Sequence, residues 1–363
     1  MSIPIRNLYF LFSYAWRHFP PGGEAEVGID ACPDTLNLFG RLLANGLRQL
    51  ERRGLDRQYR EFVEETRVPR GKMLMDATVK EQTLTRGAVV CSYDDLTEDV
   101  LHNQLLKTTA LRLRDTRGID RVIRSELGQA VARMGRVSTI RINAAQFRRV
   151  QLSRNTRHYG HLLRLCELVH GCLLPEEGGA SYRFADILRD QAKMEAVFEE
   201  FLRSFYALEQ TRYSVKRERL YWEVEAGAES LSYVPMMETD ITMRAADHTI
   251  IVDAKYYSEP FSTSWGTQKL HASNLYQLTT YLRHEQLLHP SRPVSGVLIY
   301  PASGTEAAFR YRLSGHDVRI EVVDFDVPWR QIHNRLLGVV VQSAPASALS
   351  DGNAPKRGRK NWV

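Results

Sequence analysis

Three side chains within residues 237 to 257 could hold a metal ion and activate water: Asp240, Asp253 and Lys255. Carboxylate oxygens are the ligands that hard divalent ions such as Mg²⁺ prefer, and a cation between two carboxylates relieves their repulsion. A nearby lysine could orient or activate the water, or stabilise charge on a phosphate. These residue types predict that the two aspartates and the backbone carbonyl of Ala254 hold Mg²⁺, with Lys255 assisting hydrolysis.

The elements that would bring these side chains together are two strands joined by a tight loop. Apolar and polar residues alternate on both sides of residues 245 to 248, which is the pattern of a β-hairpin with a four-residue connection. If Arg244 pairs with Thr249, the register sets Asp240 opposite Asp253, and opposed Cβ atoms lie about 5 Å apart. The lysine two residues further on then points to the same face.

The D…DxK spacing alone is a weak signal, because a solvated hairpin with a cross-strand ion pair would share it. The flanking segments supply context. Apolar residues spaced by three and four predict helices over residues 190 to 208 and 273 to 288, and residues 295 to 301 predict a buried strand. The predicted order is therefore helix, hairpin, helix, strand.

The two predicted helices carry further polar candidates. Glu199 lies on the first helix, and Gln277 and Tyr281 lie one turn apart on the second. We consider them as a third acid and as contacts to phosphate or water. For Glu199 the alternative is a surface charge beside Glu195 and Glu200.

Five separated segments carry a resemblance to a known family. They are IPIRNLYFLFSYAW, YDDLTEDVLHNQLLKTTALRL, RNTRHY, METDITMR…IIVDAKYY and HASNLYQLTTYL. In this order they are similar to the McrC family, the nuclease subunits of McrBC modification-dependent restriction systems. The hairpin also resembles the D…(D/E)xK core of the PD-(D/E)xK nucleases, although Thr239 stands where that name has proline.

The resemblance implies a fold, an activity and partners. A C-terminal PD-(D/E)xK domain, a mixed sheet flanked by helices, would cut DNA phosphodiesters with Mg²⁺. An N-terminal α+β domain would dock on a ring of the AAA+ partner McrB and stimulate its GTP hydrolysis. McrB would bind GTP and read methylated cytosine in double-stranded DNA. Two alternatives stay open: a non-catalytic activator of the GTPase, and a self-sufficient nuclease of the same superfamily.

A Gly-rich segment, LPEEGGASY at residues 174 to 182, sets the predicted domain boundary. We predict an N-terminal docking domain over 1–175 and a nuclease domain over 181–340. From 343 to 363 the composition shifts to Ala, Ser, Pro and Gly and ends in PKRGRKNWV, which predicts a disordered basic tail. The basic residues of the tail, which could add DNA affinity, are Lys356, Arg357, Arg359 and Lys360.

Length and composition exclude some classes of protein. A chain of 363 residues with 43% hydrophobic content can bury one large core or two ordinary cores, and we expect two domains. No apolar run approaches the roughly 18 residues that a membrane span needs, so we expect a cytoplasmic protein. Gly71 and Lys72 lack the spacing of a phosphate loop. We therefore expect no nucleotide on this chain and a separate polypeptide as the motor.

Two further clusters of side chains, one rich in arginine and one containing Cys and His, could each have more than one role. From Lys107 to Arg157 there are thirteen Lys and Arg residues, twelve of them Arg, against three acids. This surplus fits either a nucleic-acid surface or a helical face that contacts an acidic partner. Around Cys166 and His170, interleaved leucines favour a buried amphipathic helix over a zinc site.

Overall fold

The computed structural model describes residues 3–16, 32–176, 181–222, 233–257, 262–264 and 267–343. Within these residues the helices are α1 (Ile5–Ala15), α2 (Thr35–Arg53), α3 (Met75–Lys80), α4 (Leu101–Arg114), α5 (Arg121–Arg133), α6 (Ala144–Arg149), α7 (Gly160–Cys172), α8 (Gln191–Glu209), α9 (Ala272–Leu288) and α10 (Trp329–Ser343). The strands are β1 (Gln58–Thr66), β2 (Lys72–Met73), β3 (Val89–Thr97), β4 (Leu173–Pro175), β5 (Tyr182–Phe184), β6 (Ser214–Lys216), β7 (Arg219–Leu220), β8 (Met237–Glu238), β9 (Ile241–Arg244), β10 (Thr249–Ala254), β11 (Ser262–Ser264), β12 (Thr267–Lys269), β13 (Val294–Ala302), β14 (Ala307–Leu313) and β15 (His316–Asp324). The predicted basic tail lies outside the described residues from position 344 onward.

The chain folds into two compact units. One, here called the six-strand unit, joins Met1–Leu38 to Asp186–Val363, and the other, the inserted unit, is Phe39–Ala185. The predicted division into 1–175 and 181–340 therefore differs from the structure at the N-terminus, because the first residues group with the C-terminal part of the chain.

The N-terminal helix α1 belongs to the six-strand unit because it is part of that unit's core. Every residue of Asn7–Ala15 is buried. Phe10 stacks on Trp329 of α10 with ring centroids 4.6 Å apart. The Asn7 side chain donates to the backbone oxygen of Phe325 at 2.7 Å. These contacts join residues more than three hundred positions apart, so sequence periodicity could not reveal them.

A mixed sheet forms the centre of the six-strand unit. Its strand order is β14, β15, β13, β10, β9, β6. The neighbours β10, β13 and β15 run parallel, whereas β9, β6 and β14 each pair antiparallel. Helices α8 and α9 both pack against β10. This α/β arrangement, a mixed sheet flanked by helices, confirms the architecture predicted for the C-terminal part.

Close packing of α9 on the sheet depends on one glycine. A Cβ atom at Gly296 in β13 would lie 2.8 Å from Leu282 and 2.9 Å from Leu278, both on α9. Real Cβ atoms do not approach so closely, so a side chain at this position would force both leucines to shift. Gly296 therefore lets Leu278 and Leu282 of α9 lie directly on the sheet.

The inserted unit contains α helices and a three-stranded antiparallel sheet of order β1, β3, β2. Helix α4 packs against α5 and α7. Strands β1 and β3 pair from Gln58↔Thr97 to Thr66↔Val89. Large apolar side chains stay exposed on β1, with Tyr59 at 76% and Val63 at 58%. The fold of this unit is thus α+β, with an open sheet surface.

Most arginines of the Lys107–Arg157 surplus lie on the surface of the inserted unit. The exposed ones are Arg117, Arg121, Arg124, Arg133, Arg136, Arg141, Arg148, Arg149, Arg154 and Arg157. Some are engaged, since Arg133 pairs with Glu51 at 2.6 Å. Both interpretations of this surface, nucleic acid and acidic partner, stay predictions.

Among the described residues, no helix is both long enough and apolar enough to cross a bilayer.

Candidate active site

The hairpin has the predicted register. Arg244 of β9 pairs with Thr249 of β10, and the ladder runs to Ile241↔Val252. The loop is closed by the backbone N–H of Ala245, which donates to the oxygen of His248 at 2.8 Å. Asp240 precedes the last pair on one strand and Asp253 follows it on the other, so both aspartates lie at the open end of the hairpin.

Strand β10 is buried along its whole length. It lies between β9 and β13, with α8 and α9 packed against it. Ile250, Ile251 and Val252 therefore face protein on both sides of the sheet, and the apolar run is the pattern of a central strand. A central strand gives a rigid position to Asp253, near its end, and to Lys255, directly after it.

Asp253 and Lys255 form a buried ion pair. Their side chains are only 1% and 9% exposed, and Lys255 Nζ lies 3.1 Å from Asp253 Oδ1 and 3.0 Å from Oδ2. Asp240 lies beside them, because its Oδ2 accepts a hydrogen bond of 2.9 Å from the backbone N–H of Ala254. The structure thus brings the three predicted catalytic side chains together.

Each of these groups shifts the pKa of its neighbour. Burial raises the pKa of Asp253 to about 7, and the charge of Asp240 adds to that rise, while Lys255 opposes it. Burial alone would lower the pKa of Lys255, but the charges of Asp253 and Asp240 raise it above its usual range. The amino group of Lys255 therefore faces two carboxyl groups, and each of them favours its protonated form.

This donor set fits a hard divalent cation. Asp253 Oδ2 is buried and accepts no hydrogen bond of normal geometry, although Lys255 Nζ is nearby. The Ala254 N–H faces Asp240, and in a strand the C=O of the same residue points to the same side. Across the described ranges, no three His, Cys, Asp or Glu side chains form a complete metal site. Two carboxylates and one carbonyl, completed by waters, match what Mg²⁺ usually takes from a protein.

Helix α8 brings Glu199 towards this centre. Arg203, one turn further along α8, donates from Nη1 to the backbone oxygen of Asp240 at 3.2 Å. Glu199 lies on the same side of the helix. Burial raises its pKa to about 7, the charge of Asp240 adds to that rise, and Arg217 opposes it. The Glu199 carboxylate is paired with Arg217, so the structure places it near the aspartates but engaged elsewhere.

Gln277 and Tyr281 lie on the other flank of the centre. Gln277 Nε2 donates to Tyr281 Oη at 2.9 Å, and that hydroxyl donates to the backbone oxygen of Glu238 at 3.0 Å. Burial, and after it the charges of Asp253 and Asp240, raise the pKa of Tyr281. The observed contacts of this pair tie α9 to the segment that leads into Asp240.

Sequence reasoning missed several polar residues around the centre. Arg203 and Arg217 contact Asp240 and Glu199 as described above, and Asn274 donates to the buried hydroxyl of Tyr300 at 2.9 Å. The spacing of Arg203, four residues after Glu199, was the available signal for α8. Nothing in the local sequence distinguishes Arg217 from its neighbour Arg219.

We expect the stability of the fold to depend on pH because of the buried His248 in the hairpin loop. Its buried ring lies 3.3 Å from Tyr213 Oη and 3.1 Å from Ser295 Oγ. Burial lowers its pKa to about 4, with a smaller opposing effect of Asp247. In the unfolded chain His248 has an ordinary pKa near 6.5, so as pH falls the unfolded chain is protonated at this residue before the folded protein is. The free energy of unfolding should therefore fall by about 1–3 kcal/mol as pH drops from about 6.5 to 4.

The His248→Gln variant isolates this contribution, because Gln stays neutral and can keep hydrogen bonds. We expect the difference in free energy of unfolding, wild type minus variant, to shrink as pH falls through that window. Urea unfolding at a series of pH values measures it. A difference that stays constant from pH 7 to pH 4 would show that His248 titrates normally in the folded protein.

Comparison with known proteins agrees with this architecture. The sequence profile of a family described as "McrBC 5-methylcytosine restriction system component" matches residues 23–301. A protein of Escherichia coli (strain K12), the "Type IV methyl-directed restriction enzyme EcoKMcrBC", is 32% identical over 340 residues, which is 93% of this chain and 97% of that one.

A solved structure also matches the fold. It is a refined half-complex from a tetradecameric assembly of Thermococcus gammatolerans McrB AAA+ hexamers with bound McrC, matched at a TM-score of 0.51 and 18% identity over 93% of this chain and 76% of that chain. The chain belongs to the McrBC family of 5-methylcytosine restriction system components, as its resemblance to McrC predicted.

Proposed function

We propose that this chain is the DNA-cutting subunit of a GTP-dependent, methylcytosine-directed restriction complex. The observation that carries the proposal is the buried Asp253–Lys255 pair beside Asp240, at the end of the central strand of a mixed sheet. Family membership supplies the restriction context. The reaction would be hydrolysis of a DNA phosphodiester in the cytoplasm.

Asp240, Asp253 and the carbonyl of Ala254 would hold Mg²⁺. When bound, Mg²⁺ would lower the pKa of a coordinated water and neutralise charge on the phosphate. Lys255, whose pKa the two acids raise, would act through its charge and its N–H donors. It would orient the attacking water or stabilise the phosphate oxygens. Water attacks phosphorus, the P–O bond to the leaving strand breaks, and no covalent enzyme intermediate is needed.

The partner in this proposal is an McrB-like AAA+ ring that binds and hydrolyses GTP. The matched structure from Thermococcus gammatolerans contains McrB AAA+ hexamers with bound McrC. We assign the docking role to the inserted unit, which exposes Tyr59, Val63 and Met73 on its open sheet. Such exposed apolar groups often mark protein interfaces. Methylated double-stranded DNA would be recognised by the partner.

Cleavage should require all components together. An unregulated Mg²⁺ nuclease would bind and cut host DNA through non-specific phosphate contacts, so its activity needs a restraint. We expect the purified chain with Mg²⁺ to leave methylated plasmid intact, and we expect cutting only when the partner and GTP are added. Gel analysis of the plasmid, with each component omitted in turn, measures this.

The same assay separates the alternatives. Robust double-strand cleavage by the chain alone would overturn motor dependence in favour of a self-sufficient nuclease. Stimulated GTP turnover without cleavage in the complete mixture would support the non-catalytic activator.

A further inference from the structure

Arg217 is a solvent-reachable cation next to the candidate centre. It lies in the exposed stretch between β6 and β7, and its side chain is 40% exposed. Its Nη2 pairs with Glu199 Oε2, whose side chain is only 17% exposed, and its Nη1 lies 3.9 Å from Glu238 Oε2. Arg217 therefore bridges α8 and the strand that leads into Asp240.

The acid that Arg217 holds lies on helix α8, near enough to Asp240 for the charge of that aspartate to raise its pKa. Arg203 fixes α8 to the backbone of Asp240 at 3.2 Å, and Glu199 lies one turn away on the same side of that helix. Yet the described side chains include no group of three acids that converge for metal binding. The carboxylate of Glu199 is nearby but neutralised by the guanidinium.

A phosphate would compete well for this guanidinium. Arginine binds phosphate oxygens through paired N–H donors, and a DNA backbone next to the cut site presents them. Glu199 is held through Nη2, so a phosphate that takes Nη1 and Nη2 as a pair would displace this carboxylate. Binding of DNA at Arg217 would therefore release the Glu199 carboxylate towards Asp240 and Asp253.

We propose that Arg217 is a phosphate-binding and positioning residue that withholds Glu199 from the metal site until DNA is bound. The proposal rests on the proposed nuclease function. It adds a second limit on DNA cleavage beside the requirement for the partner, because the oxygen ligands of the metal are complete only when DNA is bound. Glu199 then serves as a third carboxylate ligand, directly or through a metal-bound water.

Replacing Arg217 by Ala should change metal and DNA binding in opposite directions. Loss of the cation frees Glu199, so full-length Arg217→Ala should bind Mg²⁺ about tenfold more tightly than wild type in the absence of DNA. The affinity for a duplex oligonucleotide should fall, and the slope of its logarithm against log salt should decrease by about 1. A merely structural role would weaken both. Calorimetry with Mg²⁺ alone and fluorescence anisotropy with DNA in metal-free buffer measure the two effects.

Three variants serve as controls. Arg217→Lys keeps the charge and should retain Mg²⁺ affinity close to wild type. Arg219→Ala removes a neighbouring arginine that lies 3.6 Å from Glu238 but is not paired with Glu199, and should leave Mg²⁺ affinity unchanged. Adding Glu199→Gln to Arg217→Ala should cancel the gain in Mg²⁺ affinity, because that gain depends on the Glu199 carboxylate.

Two results would overturn the proposal. One is Mg²⁺ affinity in Arg217→Ala that is equal to or weaker than that of wild type, checked in Arg217→Gln as a second variant. The other is a gain that persists in the double variant with Glu199→Gln. The Asp253→Asn variant tests the proposed metal site separately from the role of Arg217. If Asp253→Asn and wild type bind Mg²⁺ equally, the proposed metal site itself is wrong.

Discussion

Replacing Arg244 by Met is expected to lower the free energy of unfolding of the six-strand unit by about 3–5 kcal/mol, because it leaves a buried carboxylate without its cation. Arg244 donates from Nη2 to Glu285 Oε2 at 2.7 Å, and from Nε to Glu218 Oε1 at 2.9 Å. The Glu285 side chain on α9 is fully buried, at 0% exposure. His289, 3.8 Å away and charged only if protonated, is a weak substitute.

Unfolding of this unit can be followed separately. None of the five tryptophans falls within residues 39–185 of the inserted unit, since they stand at Trp16, Trp222, Trp265, Trp329 and Trp362. Tryptophan fluorescence during urea denaturation therefore reports on the six-strand unit and not on the inserted one.

A matched control is an ion pair at the loop of the same hairpin. Arg212 pairs with Asp247 at 2.9 Å with both side chains about a third or more exposed, so Arg212→Met should cost less than about 1 kcal/mol. Adding Glu285→Gln to Arg244→Met should recover part of the loss, since the uncompensated charge is then removed. A loss in Arg244→Met no larger than in Arg212→Met would contradict the buried-charge explanation.

The hairpin could be predicted because local rules determine it. A four-residue loop and alternating apolar residues leave one register that buries the correct side chains, and that register sets where Asp240 and Asp253 lie. The order of helix, hairpin, helix and strand follows from periodicity in the same way.

The position of α1 could not be predicted from such rules. The apolar and aromatic sequence from Ile5 to Trp16 is typical of a helix, but it does not show which surface packs against that helix. The stacking of Phe10 on Trp329 is a tertiary contact between the two ends of the chain. A boundary drawn at a Gly-rich segment therefore missed a unit built from both ends.

Charged partners were also beyond sequence reasoning. Arginine is frequent in this chain, and only the fold selects which one reaches a given acid. Arg217 meets Glu199 because β6 and α8 are brought together, and Arg244 meets Glu285 because α9 covers the sheet. The two residues of each pair are too far apart in the sequence to be neighbours on one helix or partners across one hairpin.

The second large effect is expected at the candidate metal site. Asp253→Asn keeps the shape of the side chain but removes one of two facing carboxylate charges. Lys255 retains Asp240 as a neighbouring charge, so the fold should survive. DNA cleavage should fall at least about a hundredfold, the effect typical of losing one positioned catalytic group. Asp240→Ala should behave in the same way.

Partner activation should not change, because the inserted unit carries no part of this site. Asp247→Asn is the matched control: it makes the same chemical change in the same hairpin, at an exposed loop position. It should leave both DNA cleavage and GTP turnover at wild-type levels.

The most direct measurement of the central claim is DNA cleavage and GTP turnover in one reaction, with methylated plasmid, partner, GTP and Mg²⁺, for wild type, Asp253→Asn and Asp247→Asn. We expect all three chains to stimulate GTP turnover equally and only Asp253→Asn to fail to cut. Cleavage by Asp253→Asn at the wild-type rate would contradict the assignment of Asp240, Asp253 and Lys255 as the catalytic centre.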